Sequence, residues 1–523
     1  MDSSKLKIII LLFLCAFGAV YLGTGLVTAQ TQTVFNLVVV ISFLFCLFLG
    51  RKIWLLIPFF VPIGYRISIV GTPTTELIAG VLFIAFSLPL FLLRTLPFQI
   101  RNTELEMWAL ILFICVLQVF ARHPVGLGAF TSEQIGGKPY LFFVLYLLIG
   151  LGMSYLRVPP QELRFAMKLG ILGGIIGVLL GIFGSIFPQI GIWYGVGGVN
   201  ADDSEGATML EAGDTGKAGR ISYLGGFAKN LSLWICTFKT PLSTLFHPLW
   251  GGLLVLSLGC AALSGFRSIV AMVIMTYILG ILYRGGIRHL IASSLIGAAL
   301  LLLLALVNSA MPLPANIQRA LSFLPGTWEE LHVRDAEGSS EWRFEMWREA
   351  LSSDRYIHNK WIGDGLGFRR EEIERGKTLQ DMKAKGLGGW DAHRENIMIT
   401  GDFHSGPVQT IKTVGVVGLI VLLAAMLRLA VHAHRQIERC RGTEWLPVAL
   451  FFGIPVIYYP FYFVLIFGTF QFAIAAFMLG LGMIRLLENN LPLPAYVPLR
   501  HRHAAPLPAF ALNHPAKLAR HQQ

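Results

Sequence analysis

The chain has 523 residues, 55% of them hydrophobic and 14% charged, with a net charge of +12 and a mean hydropathy of +0.65. A soluble domain is nearer a quarter charged, so this composition excludes a water-soluble globular protein. The basic residues are scattered between apolar runs, as topology charges are, which sets nucleic acid aside as a partner.

Apolar runs of about 20 residues recur along the chain, each long enough to cross a bilayer. They lack the alternation of barrel strands. The pattern predicts an all-α polytopic membrane protein with about 14 transmembrane helices, within a range of 12–14. The runs fall near 8–27, 33–50, 53–71, 74–94, 104–121, 139–157, 164–187, 222–240, 248–264, 267–284, 288–309, 407–432, 446–463 and 465–487. The first follows "MDSSKLK" without a small-residue cleavage site and reads as retained rather than as a signal peptide. With the N-terminus in the cytoplasm, Arg51-Lys52, Arg94 with Arg101, Arg157 with Arg164, Lys239, Arg284 with Arg288 and "HAHRQIERCR" all fall inside. "AQTQT" and "GTPTTE" then lie outside, without Lys or Arg.

Four regions follow: helices over 1–309 with a glycine-rich acidic outer loop at 188–221, a mainly helical outer domain at 310–405, helices over 406–487, and a flexible cytoplasmic tail at 488–523. Within the outer domain, "SSEWRFEMWREALSS" places Trp342, Phe344, Met346, Trp347, Ala350 and Leu351 at helical spacing. Ser339-Ser340 are candidates to cap that helix, and "GDGLGF" (363–368) reads as a turn. The thin apolar content of this domain predicts that it rests on the membrane helices.

The six cysteines form no metal-ligand spacing or disulfide framework, and there is no phosphate-binding loop, HExxH or GxSxG. Nothing predicts a metal or cofactor. The polar residues at the outer face remain. Arg267, in "ALSGFRSIV", sits in a very short turn between two spans, where its guanidinium either snorkels to the interface or holds a phosphate. Arg343 belongs to the amphipathic helix and taken alone is one of its solvated charges. Arg220 and Lys138 stand at outer helix mouths, where the default role is an interface anchor. His404, in "GDFHSGPVQTIKTVGVVG", precedes a span by a few residues. It is either a polar group at a helix start or, as a neutral imidazole, a proton acceptor. Gly415 and Gly418 would let a neighbouring helix approach closely. Lys412 should point into protein, and Pro407 suits a first helical turn.

In order, "RFEMWREAL" (343–351), "GDGLG" (363–367) and "HSGPVQTIKTVGVVG" (404–418) resemble the O-antigen ligase and O-antigen polymerase superfamily of membrane glycosyltransferases. "LSGFRS" (263–268) and "GRISYLGGFAKNLSLWIC" (219–236) resemble two further segments of that family. The likeness covers roughly 219–430; fourteen runs, a long outer loop and Ser after the histidine depart from the family pattern. The resemblance implies a GT-C-like helical fold in the bacterial inner membrane. It also implies a glycan donor on undecaprenyl diphosphate, used on the periplasmic face without nucleotide sugar, cofactor or metal, and transferred with inversion. His404 would be the general base, Arg267 and Arg343 would bind the diphosphate, and Arg220 and Lys138 would assist. The acceptor is lipid A-core, a glycan or a protein. Polymerisation of lipid-linked repeat units, a lipid-linked oligosaccharide transporter and a non-catalytic scaffold are the competing readings. A transporter should show matching halves, and none is evident.

Overall fold

The computed structural model describes residues 45–65, 73–92, 97–100, 103–124, 137–187, 221–368, 370–384 and 389–492. Among these residues the chain is helical, with one isolated antiparallel bridge between Phe98 and Leu156 in place of any strand. Eight helices are long and apolar enough to cross a membrane. They are α1 (Thr75–Leu92), α2 (Glu104–Arg122), α3 (Lys138–Tyr155), α4 (Pro160–Ile186), α7 (Arg267–Ala310), α12 (Gly406–Cys440), α13 (Leu446–Leu465) and α14 (Phe470–Asn490). Between them lie two shorter apolar helices, α5 (Ser222–Phe238) and α6 (Pro248–Leu263), and four helices of the long loop. These last are α8 (Ala315–Leu321), α9 (Glu330–Ser352), α10 (Arg370–Ala384) and α11 (Gly389–Thr400).

The polytopic helical architecture agrees with the apolar periodicity. Helix α7 has 44 residues and turns back at Gly286 (φ 74°, ψ −173°), so its two arms match the runs expected at 267–284 and 288–309. The second arm leaves Ile287, Ile291 and Leu295 exposed, as a helix surrounded by lipid would. In the run expected to cross at 53–71, the helix stops at Phe60 and gives way to a turn at 61–63, and 66–71 lie outside the described residues. Pro62 and Gly64 (φ 64°) end the helix. The stretch is received by α4, where a Cβ on Gly173 would lie 1.9 Å from the Phe59 carbonyl oxygen. The helices expected within 1–44, the outer loop expected at 188–221 up to residue 220, and the tail beyond 492 lie outside the described residues.

The core is organised around α12. That helix packs along α13, α14 and α2, and α14 packs on α3. At the end of α12 remote from His404, polar groups are buried together. Arg485 (2% exposed) donates from Nε to Glu106 Oε1 (1% exposed) at 2.7 Å and also pairs with Glu488. His432 stands between Glu104 (3.0 Å) and Glu488 (3.4 Å). Glu106 also closes a capping box with Thr103 at the start of α2. Ion pairs so placed join the ends of three helices, and removing one partner leaves a buried charge uncompensated.

Arg485→Ala is therefore expected to cost about 3–5 kcal/mol of stability, read from unfolding in detergent micelles. Arg485→Met combined with Glu106→Gln should recover more than half of that loss. A wild-type transition for the single variant would show that the pair is not coupled to folding.

Candidate functional site

Residues Asp402 to Pro407 form the turn that starts α12. Ser405, not His404, is the N-cap: its hydroxyl accepts from the Val408 N–H at 3.5 Å. Pro407 lies in the first turn, as its fixed φ favours. His404 is thereby released from a capping role. It adopts φ 50°, alone in positive φ among the described non-glycine residues. That conformation costs on the order of 1 kcal/mol and persists only where the surroundings enforce it.

The enforcing contacts can be named. Phe403 is fully buried, and its carbonyl accepts the Trp347 Nε1–H at 2.6 Å. Lys412 reaches back from α12, donates from Nζ to the Ile399 carbonyl at 2.6 Å, and lies 3.8 Å from Glu372. It points into protein, as its place on the span demands. The imidazole is flanked by Phe467 (centroids 5.9 Å apart, stacked) and by Trp342 (6.4 Å), with Asp402 Oδ1 3.7 Å from Nδ1. The side chain is 19% exposed.

The loop domain has its own small core of Met346, Ala350, Tyr356, Ile357, Ile397, Met398 and Phe403, completed by Val408 of α12. It is thus continuous with the first turns of a membrane helix. Trp342 and Trp347 pack against it, but Phe344 and Leu351 are exposed, so the amphipathic face is narrower than the sequence pattern suggests. Helix α9 also begins at Glu330, well before Ser339-Ser340, which fall inside it rather than at its cap.

Gly415 differs from expectation most. It is not a helix-packing position. Its φ of 76° and ψ of 178° break α12 in two, which removes the helical bonds from residues 416 and 417 back to 412 and 413. The segment 360–365 fills the break. Asp364 and Gly365 donate N–H groups to the Lys412 and Thr413 carbonyls (2.7 and 3.0 Å), and Val416 and Val417 donate to the Lys360 and Trp361 carbonyls (2.8 and 3.2 Å). The turn itself is tied by Asp364, which accepts from the His358 and Asn359 amides, and by Arg122, whose Nη2 donates to the Ile362 and Gly363 carbonyls. Leu366 N–H donates to Tyr140 Oη on α3. "GDGLGF" is a turn, as expected, and it is also a backbone clasp on a broken span.

Of the sequence-predicted residues, Arg343 adjoins Trp342, whose ring borders His404. Arg267 is the first residue of α7. Its neighbour Ser268 is hydrogen-bonded to Tyr462, and the next residue, Phe463, lies against Gly406 at the start of α12, 2.3 Å from where a Cβ would stand. The start of α12 is thus touched by Trp342, the neighbour of Arg343, and is linked to Ser268, the neighbour of Arg267, through Tyr462 and Phe463. Lys138 opens α3 and stands 5.5 Å from the Phe142 ring. Arg220 lies outside the described residues; Ile221, which follows it, donates its N–H to the Ser264 carbonyl in the turn before Arg267. Sequence reasoning missed Trp347, Phe467 and Asp402 as contacts of the histidine turn. The spacing marks Trp347 only as core, and nothing in it says that the indole N–H bonds a turn. Among the described residues, no three His, Cys, Asp or Glu side chains stand together as metal ligands.

The fold and this cluster define a multi-pass helical membrane protein with a loop domain clasped onto a broken span. A family model described as O-antigen ligase matches residues 252–423, about a third of the chain, and bears out the resemblance to the O-antigen ligase and polymerase superfamily. The matched stretch contains Arg267, Arg343, His404 and both glycines of the broken helix, while Lys138 and Arg220 fall outside it. No curated protein matches the chain.

Gly415→Ala should lower stability by on the order of 3 kcal/mol or more, because its Cβ would sit 2.1 Å from the Trp361 carbonyl oxygen at a disfavoured φ. At Gly418 the nearest atoms to a new methyl belong to the Val414 side chain and φ is not in the left-handed region, so Gly418→Ala should cost less. Thermal midpoints in detergent, with protease cleavage at 360–365 as a second readout, compare them; equal losses would refute the clasp.

Proposed function

We propose that the protein is an inverting, metal-independent membrane glycosyltransferase of the O-antigen ligase type. It moves a glycan from undecaprenyl diphosphate to an acceptor hydroxyl on the periplasmic face of the bacterial inner membrane. His404 is the general base on the acceptor hydroxyl. Arg267 and Arg343 bind the diphosphate and neutralise charge as the lipid diphosphate leaves. Lys138 and Arg220 extend the basic surface of the donor site. The loop domain over 310–405 is periplasmic and caps the groove, both termini are cytoplasmic, and about 14 helices cross in all.

The observation that carries this reading is the histidine turn. A proton acceptor is held in a strained backbone conformation by residues of the loop domain and of α12 and is flanked by aromatic rings. Strained backbone is typical of a working site. The position also suits the substrate. The donor lipid stays in the bilayer while its sugar reaches water, so the reacting groups belong at the interface, where α12 begins. Direct displacement by an activated hydroxyl inverts the anomeric carbon and needs no covalent enzyme intermediate.

With purified lipid-linked glycan and acceptor, His404→Ala should fold as wild type and lose on the order of 10²–10⁴-fold in transfer rate. Undiminished transfer would sink the assignment. Arg267→Gln and Arg343→Gln should each weaken use of the donor by roughly 10–100-fold, the worth of a hydrogen bond to a charged group. Growth in product length without labelling of a separate acceptor would make the enzyme a polymerase.

A further inference from the structure

A cavity lies at the end of the bundle opposite the histidine turn. Helix α14 runs from Phe470, whose N–H donates to Gln409 near the histidine turn, to Asn489, whose carbonyl accepts from the Arg157 guanidinium. Beside Arg157 is a cavity of about 250 Å³, lined among others by Arg51, Pro97, Pro159 and Glu162. Its walls are fixed. The segment at 97–99 pairs with 155–157 through Gln99 N–H to the Tyr155 carbonyl and Arg157 N–H to the Pro97 carbonyl, both 2.9 Å. Arg157 is further held by the Gln99 side chain. Glu162 accepts the indole N–H of Trp54, a fully buried ring, at 3.3 Å.

Arg51 is the exception in this ordered cleft. It is exposed, lines the cavity, and has neither a hydrogen bond nor an ion pair among the described residues. With Arg157 and Glu162 the lining carries one net positive charge, which one monoanion would cancel. The chain on either side of the cavity presents large apolar side chains outward: Leu47 and Phe48 one turn before Arg51, and Ile100 just after Gln99. A cationic cleft bordered by exposed apolar surface at the ends of membrane helices matches a molecule with a phosphate head and hydrocarbon tails.

We propose that this cavity binds the phosphodiester headgroup of an anionic phospholipid, with Arg51 and Arg157 on the phosphate and the acyl chains along the apolar surface beside Leu47, Phe48 and Ile100. The site is independent of the donor site at His404. Arg51→Gln removes one phosphate ligand without disturbing a protein contact, so it should leave folding unchanged.

The test titrates the full-length protein in detergent micelles with dioctanoyl phosphatidylglycerol, with dioctanoyl phosphatidylcholine and with inorganic phosphate, reading the thermal unfolding midpoint. Phosphatidylglycerol should raise the midpoint of the wild type, while phosphatidylcholine should not. In Arg51→Gln the apparent Kd for phosphatidylglycerol should rise roughly tenfold or more. Equal shifts with both lipids, or an unchanged Kd in Arg51→Gln, would overturn the site. The same shift from inorganic phosphate alone would overturn the lipid assignment and leave a site for the free anion.

Discussion

A membrane span has no water with which to satisfy its backbone, so a break in one must be filled by protein. Helix α12 breaks at Gly415, and the bonds it forfeits are replaced by the segment 360–365, which pairs with residues 412–417 on both sides of the break. The rest of the arrangement depends on that exchange. It means that the loop domain is a structural part of α12 rather than an appendage. It also sets the length of the first half-helix, Gly406 to Val414, at nine residues, or roughly 13 Å at 1.5 Å per residue. The histidine turn sits at one end of this short rod and the clasp at the other. Lys412, from within the rod, reaches the Ile399 carbonyl ahead of the turn, so clasp, rod and turn are fixed by overlapping sets of residues.

The two ends of α12 are built differently. At the remote end, Arg485 and Glu106 bury their charges against each other, with Glu488, His432 and the more exposed Glu104 alongside, an arrangement that resists opening because separating the pair leaves a buried charge uncompensated. At the histidine end, rings and carbonyls do the holding: Phe467, Trp342, and the Trp347 bond to Phe403. These contacts fix the position of the turn through packing and backbone hydrogen bonds.

How much of this was legible in the sequence follows from what periodicity can encode. Apolar runs mark α2, α3 and the two arms of α7 well, because transfer free energy sums over some twenty residues and is indifferent to detail. The same indifference hides the end of the helix at Phe60, just before Pro62 and Gly64, in a stretch that composition reads as one run. The order of Arg267, Arg343, the glycine turn and His404 was visible as a family pattern, and the family match over 252–423 agrees with it. The contacts of their neighbours were not visible, because Ser268 meets Tyr462 and Trp342 meets His404 across long stretches of chain. Gly415 illustrates the limit most clearly. Two glycines three apart on an apolar helix suggest close packing, and only the backbone dihedral distinguishes that from a break. The αL conformation of His404 is equally silent, because histidine tolerates either sign of φ without a change in composition or spacing.

The broken helix also bears on how a diphosphate would be met in the proposed reaction. Helix N-termini are ready-made anion sites because their first amides lack partners, and α12 offers two, one at each half. Neither has amides to spare in the usual number. In the first, Pro407 has no N–H, and the Ser405 hydroxyl and carbonyl accept from Val408 and Gln409. In the second, the Lys360 and Trp361 carbonyls accept from Val416 and Val417. With those donors occupied, the charge of a lipid diphosphate falls to side chains. The guanidinium fork, which grips phosphate oxygens in pairs, is the group that Arg267 and Arg343 would supply in the proposed reaction. The clasp that makes the broken span tolerable in a membrane is then also the reason that the proposed donor site must be built from arginine.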